Sequence, residues 1–386
     1  MTQKLKFSIG YNNQWDKFRD LLVEYGSCIE SVYFPLPQSC LGSGRNIPQQ
    51  KDYIHDLRRL VCYARQHAIR PILLLNPNVL DYSRIPAIMR TLRELDASEH
   101  LESVVVKDPY LLQAVKTAFP QMECEVSILA HVNTLAKTRY WAELGATTVA
   151  IDRDQIRNLD LIAAMSREVR VKVLLNEGCM KDGIFCDMHY NHLSGEINYR
   201  YPLPVNLSRI LQKAPCLRLG KLDPEKIFSA PFVRPEDLKH YLPFTNTFKL
   251  STRNANTLLI ANTLRAYRDQ SYTGNLLDLL NSPFTQIVDF IDNKALDRYD
   301  FFRRIATCDS DCRQCGFCRR LLASVQDIAP AISALEHLQA KAPADFFLRL
   351  RHEALMRLKQ QRSRTGLPRR NHPTGRSCNH RVATAI

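Results

Sequence analysis

The segment NEGCMKDGIFCDMHYNH, residues 176–192, combines residue types that support several kinds of chemistry. Cys179 and Cys186 are separated by six residues, and His189 and His192 follow closely. Thiolates with imidazoles bind zinc, thiolates alone hold iron–sulfur clusters, and an activated thiolate is a nucleophile. The segment directly follows the apolar run VRVKVLL, so its place in the fold decides among these chemistries.

A second segment, CDSDCRQCGFC, gives the strongest local indication of a metal site. It places four cysteines at spacings of three, two and two residues: Cys308, Cys312, Cys315 and Cys318. Ferredoxin-type loops wrap a [4Fe–4S] cluster with the spacing C-x2-C-x2-C. Zinc is the lesser alternative, because zinc sites with four cysteines usually use two separated pairs. We therefore expect a metal site here, with an iron–sulfur cluster favoured.

Six cysteines lie outside these two segments, and one of them, Cys216, has two possible interpretations. Cys216, in APCLRL, is either a third ligand beside Cys179 and Cys186 or a buried thiol. A zinc site made of Cys179, Cys186 and the two histidines is a further alternative. The remaining cysteines are interpreted as structural thiols or, in the last case, as an exposed thiol: Cys28, Cys40, Cys62, Cys124 and Cys378.

The bulk composition predicts a globular cytoplasmic protein. The chain has 386 residues, of which 45% are hydrophobic and 24% are charged. No apolar run reaches the length of about 18 residues that a membrane span needs, and the first residues lack an apolar signal region. Twelve cysteines in a reducing compartment are expected to be buried thiols, catalytic thiols or metal ligands rather than disulfides.

The positive charge is concentrated at the end of the chain. The net charge is +14, and residues 351–386 contain nine Lys or Arg and one Asp or Glu. From residue 362 the sequence is polar, basic and rich in turn-forming residues, which predicts a disordered tail. The tail could hold RNA through its phosphates, or it could be a solvated extension.

Apolar runs and helical periodicities alternate through the first 270 residues. Strands are predicted in eight segments: 7–11, 31–37, 70–76, 101–109, 123–130, 147–153, 169–178 and 246–253. Near-continuous apolar strands of this kind are typical of parallel sheets covered on both faces. Eight strand–helix units predict an α/β fold of the (β/α)8 TIM-type barrel class. A doubly wound open sheet is the alternative, weakened because no early strand is followed by a glycine-rich dinucleotide turn.

A barrel of this class has its chemistry at the carboxyl ends of its strands. Polar residues predicted at those ends are Asn76, Lys107, Asp108, His131, Asp152, Arg153, Asn176, Glu177 and Arg253. Cys179 follows the seventh strand, so the first cysteine segment is expected at this end of the barrel. The CxxxCxxC spacing at residues 308–315 also occurs in radical S-adenosylmethionine enzymes, but those place it after the first barrel strand.

The same pattern divides the chain into three regions. Residues 1–275 are predicted to form the barrel, including an insertion at 180–243 that is too long for an ordinary loop. Residues 276–361 are predicted to be a helical region with the cysteine cluster, and residues 362–386 are the basic tail.

Five short motifs, in order, carry a family resemblance. They are NEGC(x6)C, APC, FVRPEDLKHY, TFKLSTR and YTGNLLDLL. Over most of residues 1–280 the sequence resembles the collagenase-like peptidase family U32. It is most similar to an iron–sulfur branch related to oxygen-independent hydroxylases.

The resemblance implies a [4Fe–4S] cluster and a redox function rather than proteolysis. Relatives act in the oxygen-independent hydroxylation of ubiquinone precursors or RNA bases, some with prephenate as the hydroxyl donor, and some work as heterodimers. The family's cluster ligands match Cys179 and Cys186, with Cys216 as the candidate third ligand. The fourth has no clear match before residue 253, so Cys308 is the candidate substitute. One cluster with mixed ligands and two clusters both stay open.

The sequence therefore predicts an iron–sulfur enzyme of the hydroxylase type. We expect Glu177, His189 and Arg253 to be catalytic, a small molecule or an RNA base to be the substrate, and an electron donor and a related partner subunit to take part. A metal-stapled RNA-binding protein and a peptidase are the alternatives. The sequence lacks the HExxH of zinc proteases, and no Ser or Cys lies in a nucleophile elbow.

Overall fold

The computed structural model describes most of the chain up to residue 326. The described residues are 4–36, 43, 52–99, 101–184, 186–193, 223–253, 255–282 and 287–326. The chain divides into two compact units, Met1–Ala334 and Leu335–Ile386. The second unit lies wholly outside the described residues, and so do the predicted basic tail and Cys40, Cys216 and Cys378. The predicted three-region division therefore stays a prediction.

Eight parallel strands form a closed barrel in which each strand pairs with the next and β1 pairs with β8. This confirms the (β/α)8 prediction and excludes the open doubly wound sheet. The strands are β1 Lys6–Gly10, β2 Ile29–Phe34, β3 Arg70–Leu75, β4 Ser103–Val106, β5 Glu123–Val126, β6 Thr148–Ala150, β7 Arg170–Leu174 and β8 Thr247–Lys249.

Helices follow the strands around the outside of the barrel and continue into the C-terminal part. They are α1 Trp15–Tyr25, α2 Tyr53–Gln66, α3 Ile85–Glu99, α4 Pro109–Ala118, α5 Leu135–Glu143, α6 Leu159–Met165, α7 Cys186–Leu193, α8 Thr257–Arg268, α9 Phe301–Ala306, α10 Cys312–Cys315 and α11 Phe317–Val325. Side-chain caps fix several starts: Asp108, Thr134, Asn158 and Asn256 each accept a backbone N–H of the first turn. None of the helices in the described segments is long and apolar enough to cross a membrane.

The strands are shorter than the sequence predicts, because the apolar runs extend past the residues that pair with neighbouring strands. The run at 123–130, for example, ends its strand at Val126 and continues as a 3-10 turn, Ile128–Ala130. The interpretation of Cys62 as a buried thiol is wrong. Cys62 lies on the outer face of α2 and is exposed, whereas Cys28 and Cys124 are buried.

A second hydrophobic core lies beside the barrel. It joins the end of the insertion, Ile227–Phe232, to residues 276–325, including Phe301 and Val325. Arg234 and Asp237 of the FVRPEDLKHY motif anchor this part, since the buried Arg234 donates twice to Asp237 at 2.9 Å and once to Asp297 at 2.9 Å. Burial opposes the charge of Arg234, but the two carboxylates outweigh it and raise its pKa.

Three charged side chains, from β5, β7 and β8, meet in the interior of the barrel. Glu125 accepts from Lys172 at 2.5 Å and from Lys249 at 3.1 Å, and all three residues are buried. Burial works to raise the pKa of Glu125, but the two ammonium groups outweigh it and lower that pKa to about 2. The trio therefore keeps one excess positive charge within the barrel.

We predict that Glu125→Gln destabilises the fold by about 3–5 kcal/mol, because it leaves two buried ammonium groups without their shared carboxylate. Urea unfolding at neutral pH measures the difference. Glu143→Gln changes an exposed carboxylate on α5 and is expected to have little effect. Equal unfolding midpoints for the two variants would contradict this account.

Candidate functional site

A small pocket opens at the carboxyl end of the barrel, which we call the mouth. Its volume is about 70 Å³. Four polar or charged residues near strand ends meet there, namely Asn76, Glu177, Lys249 and Arg253. The other lining residues are Tyr33, Leu74, Ser127, Ile128, Leu129, Leu174, Tyr190 and Ser251. The predicted catalytic residues Glu177 and Arg253 therefore line one pocket, whereas His189 does not line it.

Glu177 is the buried acid of this pocket. Its side chain is 2% exposed, and its Oε1 has no hydrogen-bond partner among the residues that the structure describes. A buried carboxylate oxygen without a donor is costly. The pocket thus presents an acceptor that a hydroxyl, an amide or an ammonium group of a ligand can satisfy.

Lys249 and Arg253 bring positive charge to the same pocket, and both cationic groups lie over the ring of Tyr33. The Lys249 Nζ lies 4.5 Å from the centre of the Tyr33 ring, and the Arg253 Cζ lies 6.0 Å from it. Gly10 makes room for this arrangement, since a Cβ there would lie 2.4 Å from Cγ of Arg253. Cations over an aromatic face are attracted to it, so the ring holds both side chains at the mouth.

The NEGC motif is held in place by a clasp, formed by Asn176, Gly178, Ser251, Asn281 and Ser282. Asn176 Oδ1 accepts the backbone N–H of Ser251 at 2.7 Å, and the Asn281 side chain donates to Ser251 Oγ at 2.7 Å. The backbone N–H of Gly178 donates to the Asn281 carbonyl at 3.1 Å, and Ser282 Oγ donates to the Gly178 carbonyl at 2.7 Å. The clasp joins the ends of β7 and β8 to the C-terminal segment.

The charge of the buried guanidinium of Arg153 interacts with Cys179 and Cys186. Burial opposes the charge of Arg153, but Tyr190 and these two thiols outweigh it and raise its pKa. The Nε of Arg153 has no hydrogen-bond partner within the described segments. Two thiol donors beside a buried cation fit an anionic metal–thiolate group, so the donor chemistry here is compatible with an iron–sulfur cluster.

The same geometry argues against Cys186 as a nucleophile in the structure as described. Burial raises the pKa of Cys186 to about 11, although Arg153 lowers it in part. A thiol with a raised pKa is protonated at neutral pH and unreactive. Thiol nucleophiles are activated by an adjacent base, and the His131 ring is hydrogen-bonded to Asp152 instead.

Helix α7, which begins at Cys186, packs over the mouth. Its Tyr190 is buried and lines the pocket. Its Asp187 lies 3.4 Å from Nε2 of His131, whose Nδ1 is 2.8 Å from Asp152 Oδ2. Asn78, which accepts from Lys107, donates to Asn191 of the same helix. His131, Asp152 and Lys107 thus position the helix rather than line the pocket.

The two predicted histidines give little support to a zinc site. His189 is half-buried and stacks near Tyr190, with ring centres 6.2 Å apart. The side chain of His192 lies outside the described residues. Across the parts of the chain with described coordinates, no group of three or more His, Cys, Asp or Glu is placed to hold a metal ion. Cys216, the predicted third ligand, lies outside the described residues.

The C-terminal cysteines lie on the second core. Cys318 packs against that core, while Cys312 and Cys315 on α10 are exposed. Burial, together with the charges of the other three thiols, raises the pKa of Cys318 to about 12. Cys308 accepts the backbone N–H of Ser310 at 3.4 Å. The four thiols therefore lie near one another, without a preformed ion-binding geometry in the described structure.

A cleft of about 380 Å³ lies between the loop that carries Lys181 and the segment that carries Cys308. Arg153, Lys181, Cys308 and Ser310 line it, and Lys181 Nζ donates to Ser310 Oγ at 3.3 Å. Arg157 fixes the cleft wall, because its guanidinium donates to the carbonyls of Ala230 and Phe232 at 2.8 Å. Burial lowers the pKa of Arg157 to about 10, so it remains charged at neutral pH.

The sequence is similar to one family of known proteins. The model of peptidase family U32 matches residues 17–176. An uncharacterized protease of Methanocaldococcus jannaschii is 28% identical over 321 residues, which are 80% of this chain and 92% of the relative. The predicted resemblance to peptidase family U32 is confirmed.

A solved structure of a U32 peptidase, Mk0906, is 15% identical and has a TM-score of 0.49. It covers 65% of this chain and 94% of its own. The family match ends at Asn176, so all the candidate cysteine ligands of this chain lie beyond the matched residues.

Sequence reasoning did not select Lys249 or Tyr190 as site residues. Lys249 had a signal, because a lysine inside the apolar run NTFKL points a charge toward an interior that should be apolar. Arg153 was predicted at a strand end. Its interaction with Cys179 and Cys186 joins residues that are separated in the sequence, which the local sequence does not encode.

We predict that Gly178→Ala disrupts the clasp. A Cβ at Gly178 would lie 2.1 Å from Cβ of Ser282, so the C-terminal segment must move. The expected loss is about 1–3 kcal/mol of unfolding free energy. Gly26→Ala is the matched control, since its Cβ would lie 3.7 Å from the nearest atom. Wild-type stability of Gly178→Ala in urea unfolding would refute the clasp.

The His131 contacts predict a pH-dependent contribution to stability. Its hydrogen bond to Asp152 raises the pKa of His131 above the ordinary 6.5. The contribution is therefore fully present below about pH 6.5 and is lost as the pH rises through the raised value. We expect the difference in unfolding free energy between wild type and His131→Gln to shrink as the pH rises above about 6.5 and through the raised pKa. If urea unfolding gave the same difference at every pH, the charge of the His131 ring would not contribute to stability and the prediction would be wrong.

Proposed function

We propose that this chain is an iron–sulfur enzyme of the U32 barrel, related to oxygen-independent hydroxylases, acting on a small molecule or a single RNA base at the mouth. The observation that carries the proposal is the placement of Cys179 and Cys186. Cys179 follows the pocket residue Glu177 by two positions, and Cys186 begins the helix that carries the pocket residue Tyr190, at the end of the barrel where such folds carry out chemistry.

The proposed cluster ligands at the mouth are Cys179 and Cys186, with Cys216 as the third. When bound, a [4Fe–4S] cluster would supply one-electron transfer or a Lewis-acidic iron. Zinc is the lesser possibility for the same thiols. The second group, Cys308 to Cys318, is proposed to hold a further cluster or to lend Cys308 as the fourth ligand, which the contact between Lys181 and Ser310 makes sterically reasonable.

The pocket residues have separate proposed roles. Lys249 and Arg253 attract an anionic part of the substrate and orient it over Tyr33. Glu177 accepts a hydrogen bond or a proton from the substrate through its unpartnered Oε1. Tyr190, on α7, closes the pocket and keeps water from its interior. His189 is proposed as a proton donor beside the cluster, on the strength of the resemblance.

Iron and acid-labile sulfide per chain, after anaerobic purification, test this function. We expect a brown protein whose iron content falls sharply in Cys179→Ala. If two clusters are present, Cys312→Ala removes about four irons and leaves about four. Cys62→Ser changes an exposed thiol on α2, away from both groups, and should keep the full iron content.

Two results would overturn the proposal. A colourless protein with stoichiometric zinc after anaerobic preparation is one. Iron that stays bound in Cys179→Ala and Cys186→Ala alike is the other, because it would place the metal elsewhere.

Proteolysis is the second candidate function. It is favoured by the family's description and by the relative that is described as an uncharacterized protease. Peptide turnover that is lost in Cys179→Ala but unchanged after iron removal would establish it. Turnover that follows the iron content, or none at all, is expected under the iron–sulfur proposal.

A further inference from the structure

The cleft of about 380 Å³ is a second concave site, separate from the mouth pocket. It lies between the segments that follow β6 and β7 and the second hydrophobic core. It shares none of its described lining residues with the mouth pocket. Its volume falls in the range of about 300–1,000 Å³ that sites for small molecules usually have, whereas the mouth pocket is well below that range.

Arg153 places a buried and incompletely bonded cation in the wall of this cleft. The residue is 6% exposed, and its Nε has no hydrogen-bond partner among the residues that the structure describes. The carboxylate of Asp154 has its Oδ1 3.7 Å from that Nε, which is too long for a hydrogen bond. A buried N–H group without an acceptor is costly, and an anionic oxygen of a ligand in the cleft would satisfy it.

Two further cations line the cleft. Lys181 is held at its edge, because its Nζ donates to Ser310 Oγ at 3.3 Å. Arg157 directs all the hydrogen bonds that its guanidinium donates within the described segments to neutral backbone carbonyls. The acids among the described lining residues are Asp154 and Asp160. Three cations and two acids leave one excess positive charge in the lining, so the cleft favours an anionic ligand.

Another part of the wall is apolar. Ile156, Pro231 and Ile305 are buried and line the cleft. A ligand that fits both parts of the wall therefore carries an anionic group and an apolar body. A phosphate monoester has a charge of about −1.5 to −2 at neutral pH and three strong acceptor oxygens, so it suits more than one cation better than a carboxylate does.

We propose that the cleft binds a phosphate monoester with an apolar body. Arg153 and Lys181 bind the phosphate group, and the wall at Ile156 and Ile305 contacts the body. Asp154 opposes binding, because it competes for Arg153 and repels the ligand. The inference does not depend on an iron–sulfur cluster, and it goes beyond the proposed function by adding a second ligand at a separate site.

Isothermal titration calorimetry of the full-length protein with phenyl phosphate tests the inference. Phenyl phosphate combines the two features of the proposed ligand. Inorganic phosphate lacks the apolar body, benzoate carries a carboxylate instead of the phosphate, and phenol is uncharged at neutral pH. We expect phenyl phosphate to bind most tightly of these four compounds and phenol not to bind. If benzoate or phenol binds as tightly as phenyl phosphate, or if none of the four binds, the inference is wrong.

Variants of the cleft residues assign the binding site. Lys181→Gln and Arg153→Gln should each weaken the binding of phenyl phosphate by about tenfold or more, the loss expected when a charge-assisted hydrogen bond is removed. Asp154→Asn should tighten the binding, an effect that damage to the fold would not produce. Arg139→Gln removes an exposed cation on α5 and should leave the affinity unchanged. Thermal unfolding checks that each variant is folded.

Two further results would overturn the inference. An affinity that falls in Arg253→Gln but not in Lys181→Gln would place the ligand in the mouth pocket, which Arg253 lines. The titration is also repeated after iron has been removed with a chelator, and the affinity should stay the same. Loss of binding together with the iron would place the phosphate on the metal instead of the cleft cations. The iron content of the purified protein reports separately on the proposed function.

Discussion

The clasp around Asn176 is the constraint on which the site depends. Its side chain binds the backbone after β8 while the neighbouring Gly178 binds Asn281 of the C-terminal segment. The ends of β7 and β8 lie side by side because the two strands pair. The clasp connects these two ends and thereby fixes the position of the backbone just before Cys179. Gly178 is required because the Ser282 backbone and side chain occupy the space of a Cβ. Glu177, between these two residues, is thereby buried in the mouth pocket.

Buried arginines organise the rest. Arg234 ties the FVRPEDLKHY motif to the C-terminal segment through carboxylates, and Arg157 ties the end of the insertion to the barrel through carbonyls. The guanidinium groups of both residues are hydrogen-bonded to oxygen atoms of the protein. Arg153 differs from both because its neighbours are mainly thiols and a phenol. This contrast among the three residues distinguishes Arg153 from the two arginines of the scaffold.

The sequence was sufficient for the barrel because its strands are local apolar runs whose count and spacing are visible without tertiary information. It also located Glu177 and Arg253, since residues just past strand ends meet at one end of a parallel barrel. It could not locate contacts made across long separations, such as those of Arg157 with Ala230 or of Lys181 with Ser310. Local sequence can also mislead, as Cys62 shows. Its neighbours in the sequence are apolar, yet its side chain lies on the exposed face of a helix. The third cysteine, Cys216, stays a prediction.

The central claim is that Cys179 and Cys186 bind iron at the mouth of the barrel. Anomalous diffraction at the iron edge, from crystals grown without oxygen, tests it most directly. The account predicts an iron peak bonded to the sulfur atoms of both residues and adjacent to the Arg153 guanidinium. An empty mouth with iron elsewhere, or a peak there that follows the zinc edge, would contradict it.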